Sequence, residues 1–358
     1  MAKHKVSDFA DIQSKLSDWF VAKLPERKNL VVEDFNFPEN TGESNVTLIV
    51  KVNWTAGAGR GFGRFVVRIL PEGEKVFNDY DLALQYHMME AMAANDIPVP
   101  PLLALEEDSS IIGGPFYVMN FVDGQIPSDN PPMHMVGWLT EVTEEQRASI
   151  WWSGLENMAK IHRLDLDSVT LPDLSRPDRG ASYIEQQVKM YEDMTVGRVA
   201  EVCNPVILDA LKWCRDNMPA DENIRLCWGD ARPANQIYRD YKSVAVLDWE
   251  MACLCNPLLD ATWWYWMDYC LSTSLGIPRL PGFGDREETL QRWQELTGYS
   301  LDNVAWYELF ALVRYTIIME RVFNRMESQG EERMDNLWVP TLTELYEKAQ
   351  AAITAEQG

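Results

Sequence analysis

The sequence predicts an α+β protein of two lobes: a small antiparallel-sheet lobe over residues 1–124 and a mostly helical lobe over 125–358. Three observations predict it. The chain has 358 residues, more than one compact core usually serves. Before residue 70, strand-like runs alternate with short turns, the pattern of hairpins. After about residue 125, apolar residues recur at helical spacing.

In chain order, residues 7–25 carry a helical stripe of Phe9, Ile12, Leu16, Trp19, Phe20 and Leu24. Strand-like runs follow at 31–37, 45–54 and 63–70. The turn Gly57-Ala58-Gly59-Arg60-Gly61-Phe62-Gly63 joins the second and third runs and reads as a flexible hairpin tip rather than a nucleotide loop. A helix is expected over 79–95, stopped by Ile97-Pro98-Val99-Pro100-Pro101, because proline supplies no N–H to a helix. Residues 114–124 read as a strand ending in a turn. Thr143-Glu144-Glu145-Gln146 has capping-box spacing and opens a helix through Leu164. Further helices are expected at 182–194 and 205–217, from Asp260 through an aromatic-rich stretch to Tyr269, and at 306–326 and 341–356.

Composition narrows the function classes. A net charge of −23 argues against nucleic-acid or anionic-membrane partners, which want basic surfaces. It suits a cationic substrate, although a solvated acidic surface is the commoner explanation. The six cysteines form no CxxC pair and the four histidines are scattered, so the thiols read as reduced and no metal cluster is expected. The N-terminal residues lack an apolar signal stretch and no apolar run reaches membrane-span length, so a cytoplasmic protein is expected. Oligomeric state stays open.

The chemistry concentrates in Trp228-Gly229-Asp230-Ala231-Arg232-Pro233-Ala234-Asn235, followed by Val246-Leu247-Asp248-Trp249-Glu250. The first string is a loop between strand arms at 225–227 and 236–238; the run 243–247 delivers Asp248. Any one of these residues alone is an ordinary turn former. Together they are the set phosphoryl transfer needs. Asp230 can accept a hydroxyl proton, Arg232 can neutralise charge on the moving group, and Asn235 with Asp248 can hold Mg²⁺.

The order Asp230-x-Arg232-Pro233-x-Asn235 resembles the protein-kinase catalytic loop. With Asp248-Trp249-Glu250 and Pro257-Leu258-Leu259-Asp260, it is more similar to the aminoglycoside phosphotransferase family of small-molecule kinases, which includes choline kinase-like enzymes. Two departures stand out. Trp228 replaces the family's His, and Gln85 occupies the place of the glutamate that kinases present from the helix after the third strand. The resemblance implies a bilobal kinase-like fold with ATP and Mg²⁺ as cofactors and a small hydroxylated molecule as substrate. It implies phosphate contacts from Ser44 and Asn45, in Thr41-Gly42-Glu43-Ser44-Asn45. It further implies a phosphate-binding cation at Arg68 within hydrogen-bonding reach of Gln85, and an adenine-binding hinge around Met119 to Phe121. Asp230 and Arg232 are then catalytic, Asn235 and Asp248 metal ligands, and Asp260 an anchor of the catalytic loop. Glu250 is a neighbour of the metal or an indirect ligand. The aromatic cluster Trp263, Trp264, Trp266 and Tyr269 is core or substrate-facing, and Asp268 is an option for a cationic substrate.

Arg68-Ile69-Leu70-Pro71-Glu72-Gly73 and residues 273–284 resemble the branch of kinase domains fused to acyl-CoA dehydrogenases. That favours a hydroxyacyl-CoA or other alcohol metabolite as acceptor. An aminoglycoside or antibiotic acceptor is the alternative, and a non-catalytic nucleotide-binding protein is another. A carboxylate-pair hydrolase using Asp230 and Asp248 leaves Arg232 and Asn235 unexplained.

Overall fold

A computed structural model describes residues 9–36, 46–56, 59–70, 75–220 and 222–356. In chain order the elements are α1 (Phe9–Lys23), β1 (Lys28–Asn36), β2 (Val46–Ala56), β3 (Gly59–Ile69), α2 (Leu82–Ala93), β4 (Leu102–Glu106) and β5 (Phe116–Asn120). Then come α3 (Glu144–His162), α4 (Tyr183–Met194), α5 (Arg198–Val202), α6 (Pro205–Asp216), β6 (Arg225–Cys227), β7 (Gln236–Arg239), β8 (Lys242–Val246) and β9 (Cys253–Cys255). The helices α7 (Leu258–Cys270), α8 (Arg286–Thr297), α9 (Val304–Ser328) and α10 (Val339–Glu356) complete the described chain. The expected two-lobed α+β architecture is present: one five-stranded sheet ordered β1-β2-β3-β5-β4, antiparallel throughout and accompanied by α1 and α2, precedes α3 to α10.

Alternation along the strands decides what each sheet face does, because successive side chains point to opposite faces. Phe65 and Val67 of β3, with Phe116 and Val118 of β5, pack into one core beneath α1. Phe20 of α1 meets Phe65 with ring centroids 5.0 Å apart, and Trp19 meets Phe116 at 5.2 Å. The intervening residues, Val66, Tyr117 and Met119, join the larger core of the helical lobe. Arg68 pairs across the ladder with Thr47 and Tyr117, so the pleat carries it toward the cleft. Helix α2 also belongs to the larger core, through Leu82, Tyr86, Met88, Met89 and Met92.

The structure corrects the reading of the glycine-rich turn: Gly59, Gly61 and Gly63 lie inside β3, paired with Ala56, Trp54 and Val52. Trp54 occupies the space a side chain at Gly61 would need, since a Cβ there would stand 2.7 Å from its indole nitrogen. Arg27 stacks on the Trp54 ring at 4.0 Å. The Thr143 capping box forms as its spacing predicts: Thr143 Oγ1 accepts from the Gln146 N–H, and Gln146 Oε1 accepts from the Thr143 N–H.

Candidate active site

The loop between β6 and β7 is built by buried groups that hold its backbone rather than its reactive side chains. Asp260, at the start of α7, is fully buried. Its Oδ2 accepts from the Trp228 N–H at 2.6 Å and its Oδ1 from the Gly229 N–H at 2.9 Å. Behind it, His162 Nε2 lies 3.1 Å from Oδ2, while His162 Nδ1 accepts the indole N–H of Trp293 at 2.9 Å. The proton of the imidazole therefore sits on Nε2, donated to Asp260. From the other side Arg314, also buried, donates to the Gly229 carbonyl at 2.7 Å and lies over the Trp263 ring at 4.3 Å. Gly229 itself has φ +92°, and a Cβ would stand 2.0 Å from the Met251 carbonyl oxygen, so only glycine fits.

Trp228 takes over a structural task. Its buried indole N–H donates to the carbonyls of Leu247 at 2.8 Å and Asp248 at 3.1 Å, tying the catalytic loop to the segment that carries Asp248. Trp228→Phe removes the donor and leaves two half-buried carbonyls without it, at a cost of about 1–3 kcal/mol. The expected result is a lower urea midpoint together with a lower kcat. An unchanged midpoint would show that the tether carries no energy.

The loop delivers its side chains to one spot. Asp230 Oδ2 accepts from Arg232 Nε at 2.9 Å and from Asn235 Nδ2 at 2.7 Å, and its Oδ1 accepts from Trp263 Nε1 at 2.8 Å. Two bonds fill Oδ2 and one is made to Oδ1, so a lone pair of Oδ1 is left for an incoming hydroxyl. Asn235 spends its amide nitrogen on Asp230, including the Asp230 carbonyl at 3.0 Å, which reserves its side-chain carbonyl oxygen for another partner. Arg232 also pairs with Asp129, a residue of the segment between β5 and α3. Carboxylates on both sides hold its guanidinium above its ordinary pKa against the desolvation that opposes its charge. Desolvation pushes the Asp129 carboxyl up, more than Arg232 pulls it down.

Asp248 follows β8 with φ +58°, a left-handed backbone that aspartate tolerates better than most residues. Its Oδ2 lies 3.9 Å from Arg68 Nη2, and its buried Oδ1 has no hydrogen-bond partner. Desolvation raises its pKa, with Arg68 pulling the other way. Among the described residues, no group of three or more His, Cys, Asp or Glu gathers to hold a metal. The pair Asn235 and Asp248 fits Mg²⁺ in another way: an orphaned carboxylate oxygen plus an amide oxygen, with phosphates and water to complete the shell.

Other expectations fare differently. Ser44 and Asn45 lie outside the described residues. Arg68 does face the cleft, but no Arg68–Gln85 hydrogen bond forms; Arg68 instead bonds Thr47 Oγ1 at 3.3 Å and opposes Asp248. Gln85 is buried with neither amide atom partnered, on a helix whose neighbouring residues pack into the larger core. At the hinge, the N–H groups of Asn120 and Phe121 already donate to Pro101 and Arg64 carbonyls, at 2.8 and 3.0 Å. Met119 is buried and Phe121 lies under the Arg64 guanidinium at 4.0 Å, so neither of these two N–H groups is free for the expected hinge contact. Asp268 is not a site for a cationic substrate: it is buried between His134, at 2.8 Å, and Arg279. Of the aromatic helix, Trp263, Trp264 and Trp266 are core, and Trp263 alone among them reaches the site. Asp129, His162 and Arg314 carry no motif spacing that would have singled them out.

A family profile described as "Phosphotransferase enzyme family" matches residues 49–298. Acyl-CoA dehydrogenase family member 10 of Mus musculus is 28% identical over 79% of this chain and 26% of its own length. Acyl-CoA dehydrogenase family member 11 of Gallus gallus is 30% identical over 62% of this chain and 26% of its own length. The chain thus spans about a quarter of the length of these relatives. Among solved structures, a putative aminoglycoside phosphotransferase from Ralstonia eutropha superposes with a TM-score of 0.68 at 20% identity, over 94% of this chain and 98% of that one. Choline kinase LicA from Streptococcus pneumoniae gives 0.57 at 12% identity, over 95% and 100%. At these identities the structures show a shared fold, the bilobal kinase-like one.

Proposed function

The chain belongs to the phosphotransferase enzyme family, and from that premise we propose that it transfers the terminal phosphoryl group of ATP, in the presence of Mg²⁺, to a hydroxyl group of a small molecule bound between the lobes 1–124 and 125–358. Its class is that of the small-molecule kinases. The observation that carries the finer reading is the convergence of Asp230, Arg232, Asn235 and Asp248, with one buried carboxylate oxygen of Asp248 unpartnered. A hydrolase or a binding-only protein needs no such set.

In this reading each residue has a physical task. Asp230 orients the acceptor O–H and takes its proton on the open lone pair of Oδ1. Arg232, steadied by Asp129, offers its remaining N–H groups to the transferring phosphoryl oxygens. Asn235 and Asp248 hold Mg²⁺, which when bound neutralises charge on the phosphate oxygens. Arg68 faces the same place from the sheet. Little covalent chemistry is asked of the protein, and positioning supplies most of the rate.

For the acceptor we favour an alcohol metabolite carried on an acyl-CoA or similar body over an aminoglycoside. The relatives bear acyl-CoA dehydrogenase names, and the carboxylate that would have recognised a polycation, Asp268, is buried and paired. No described helix is long and apolar enough to cross a membrane, and all six cysteines are buried free thiols; we place the protein in the cytoplasm. The test is phosphoryl transfer from Mg²⁺-ATP or Mg²⁺-GTP to 3- and 4-hydroxyacyl-CoAs, choline-like alcohols and aminoglycosides. A phosphorylated hydroxyacyl-CoA supports the reading; a phosphorylated aminoglycoside alone overturns the acceptor class, and nucleotide that neither binds nor turns over overturns the reaction.

Asp129 and Arg232 act as one unit in this scheme. Asp129→Asn and Arg232→Lys combined are expected to lower kcat/KM by less than the product of their separate effects, a coupling of about 0.5–3 kcal/mol. Strictly multiplicative losses in steady-state kinetics would show that the two act independently.

A further inference from the structure

The backbone just before Asp230 hangs from one buried carboxylate, and the proton that steadies this carboxylate is controlled from α8. Asp260 Oδ2 faces two donors, the Trp228 N–H at 2.6 Å and His162 Nε2 at 3.1 Å, and Oδ1 takes the Gly229 N–H at 2.9 Å. In a neutral imidazole either nitrogen can carry the proton, and the hydrogen bond made by the other decides which. That other bond comes from Trp293 of α8, whose indole Nε1 lies 2.9 Å from His162 Nδ1. An indole nitrogen only donates, so Nδ1 is held as the lone-pair nitrogen. His162, Asp260 and Trp293 are all fully buried, so bulk water competes for neither bond. The backbone of His162 is held from the same side. Tyr299, just beyond α8, donates its hydroxyl to the His162 carbonyl at 3.2 Å and accepts from Arg225 Nε at 2.7 Å. Arg225 opens β6, the strand that leads into the loop. Helix α8 buries Thr289, Leu290 and Trp293, and Thr289 meets α3 as well, accepting from the Trp151 indole at 3.2 Å.

We propose that Trp293 is a positioning residue: it locks His162 in the tautomer that donates to Asp260, and so couples α8 to the backbone that presents Asp230. The opposite tautomer would aim the lone pair of Nε2 at the Asp260 carboxylate. The carboxylate would then turn away from His162, and its bonds to the N–H groups of Trp228 and Gly229 would loosen. The lock stands on geometry alone, while its effect on turnover rests on the kinase reading.

The test is ¹⁵N NMR of the imidazole together with amide hydrogen exchange, on wild type, Trp293→Phe, His162→Gln and the double variant. In wild type His162 is expected to show a protonated Nε2 and a pyridine-type Nδ1, coupled across the hydrogen bond to the Trp293 indole nitrogen. Trp293→Phe should mix the tautomers and lower the protection of the Trp228 and Gly229 amides about tenfold relative to those of α9. His162→Gln supplies an N–H donor with no second tautomer, so adding Trp293→Phe to it should change that protection by less than about twofold. A proton on Nδ1 in wild type overturns the lock, and does so even where Trp293→Phe does not fold. Protection that is unchanged in Trp293→Phe, or that falls equally in α9, overturns it, since Trp293 would then contribute packing alone. Equal losses in the two backgrounds do the same. Turnover of Mg²⁺-ATP with the acceptors above is expected to fall about tenfold in Trp293→Phe with KM for ATP unchanged; turnover that holds while protection falls overturns the positioning role. The expected spectra from a wild type that transfers no phosphoryl group uphold the lock and defeat the kinase reading.

Discussion

Asp230→Asn is expected to lower kcat by about 10²–10⁴-fold, the usual contribution of a positioned general base, while Mg²⁺-nucleotide affinity stays near that of wild type. The substitution keeps the shape of the side chain and converts one acceptor oxygen to a donor. Both oxygens of Asp230 are committed, Oδ1 to Trp263 and Oδ2 to Arg232 and Asn235. The new amide nitrogen therefore faces another donor whichever way it turns, and the conflict costs about 1–3 kcal/mol of stability. Rate and stability must be read together, by steady-state kinetics on protein shown folded by its urea curve. A folded variant retaining more than about a tenth of wild-type kcat would mean that Asp230 contributes less than general bases ordinarily do, and that positioning by Arg232 and Trp263 carries the reaction. A collapse of nucleotide affinity would instead assign Asp230 a structural task.

The candidate set around Asp230 was legible in the sequence because short-range spacing brings its members together. Two residues from Asp230 to Arg232 and five to Asn235 fit within one loop, whatever surrounds it. Most strands and helices were likewise legible from periodicity, but the 12-residue α8 was not, because it buries only Thr289, Leu290 and Trp293 and shows little apolar stripe. β4 and β9 are short pieces of 5 and 3 residues, below the length at which alternation is distinctive. The glycines of β3 read as a turn because their backbone is permissive, and only the Trp54 ring lying over them shows why glycine is required. What spacing could not reveal is long-range. Asp129 reaches Arg232 across 103 positions and Trp293 reaches His162 across 131. Trp228 read as a departure from pattern; its function, an N–H aimed at two carbonyls, exists only once the loop and the following strand are side by side. Asp268 shows the converse. Its place on an aromatic helix suggested a substrate contact, and burial beside His134 and Arg279 makes it part of the scaffold.

Asp248→Asn is expected to stabilise the metal-free protein and to destroy its activity. The carboxyl group of Asp248 has its pKa raised in the fold, with desolvation as the largest cause and Arg68 as a smaller opposing one. A raised carboxyl pKa means that folding favours the protonated form. Above that pKa the ionised group subtracts from stability, and the deficit is relieved as pH falls toward and through it. An amide carries no charge to desolvate, so the variant should lose this pH-dependent deficit and melt above wild type near neutral pH without metal. Mg²⁺ should then reverse the order. It raises the melting temperature of wild type by binding the folded state and leaves Asp248→Asn unmoved. The loss in catalysis follows from the same oxygen. A metal ion supplies several kcal/mol to the charged transition state, so removing its ligand should lower kcat/KM by about a thousandfold at 1.36 kcal/mol per decade. Thermal unfolding at two pH values, with and without Mg²⁺, separates these contributions. If metal-free Asp248→Asn melts below wild type, the pairing with Arg68 outweighs the burial penalty, and Asp248 stabilises the fold in its own right. If Mg²⁺ shifts both proteins equally, the metal is held elsewhere. The two observations that motivate the prediction, an orphaned buried oxygen and a left-handed backbone at aspartate, both cost the fold free energy. Such strain persists at sites where a ligand relieves it.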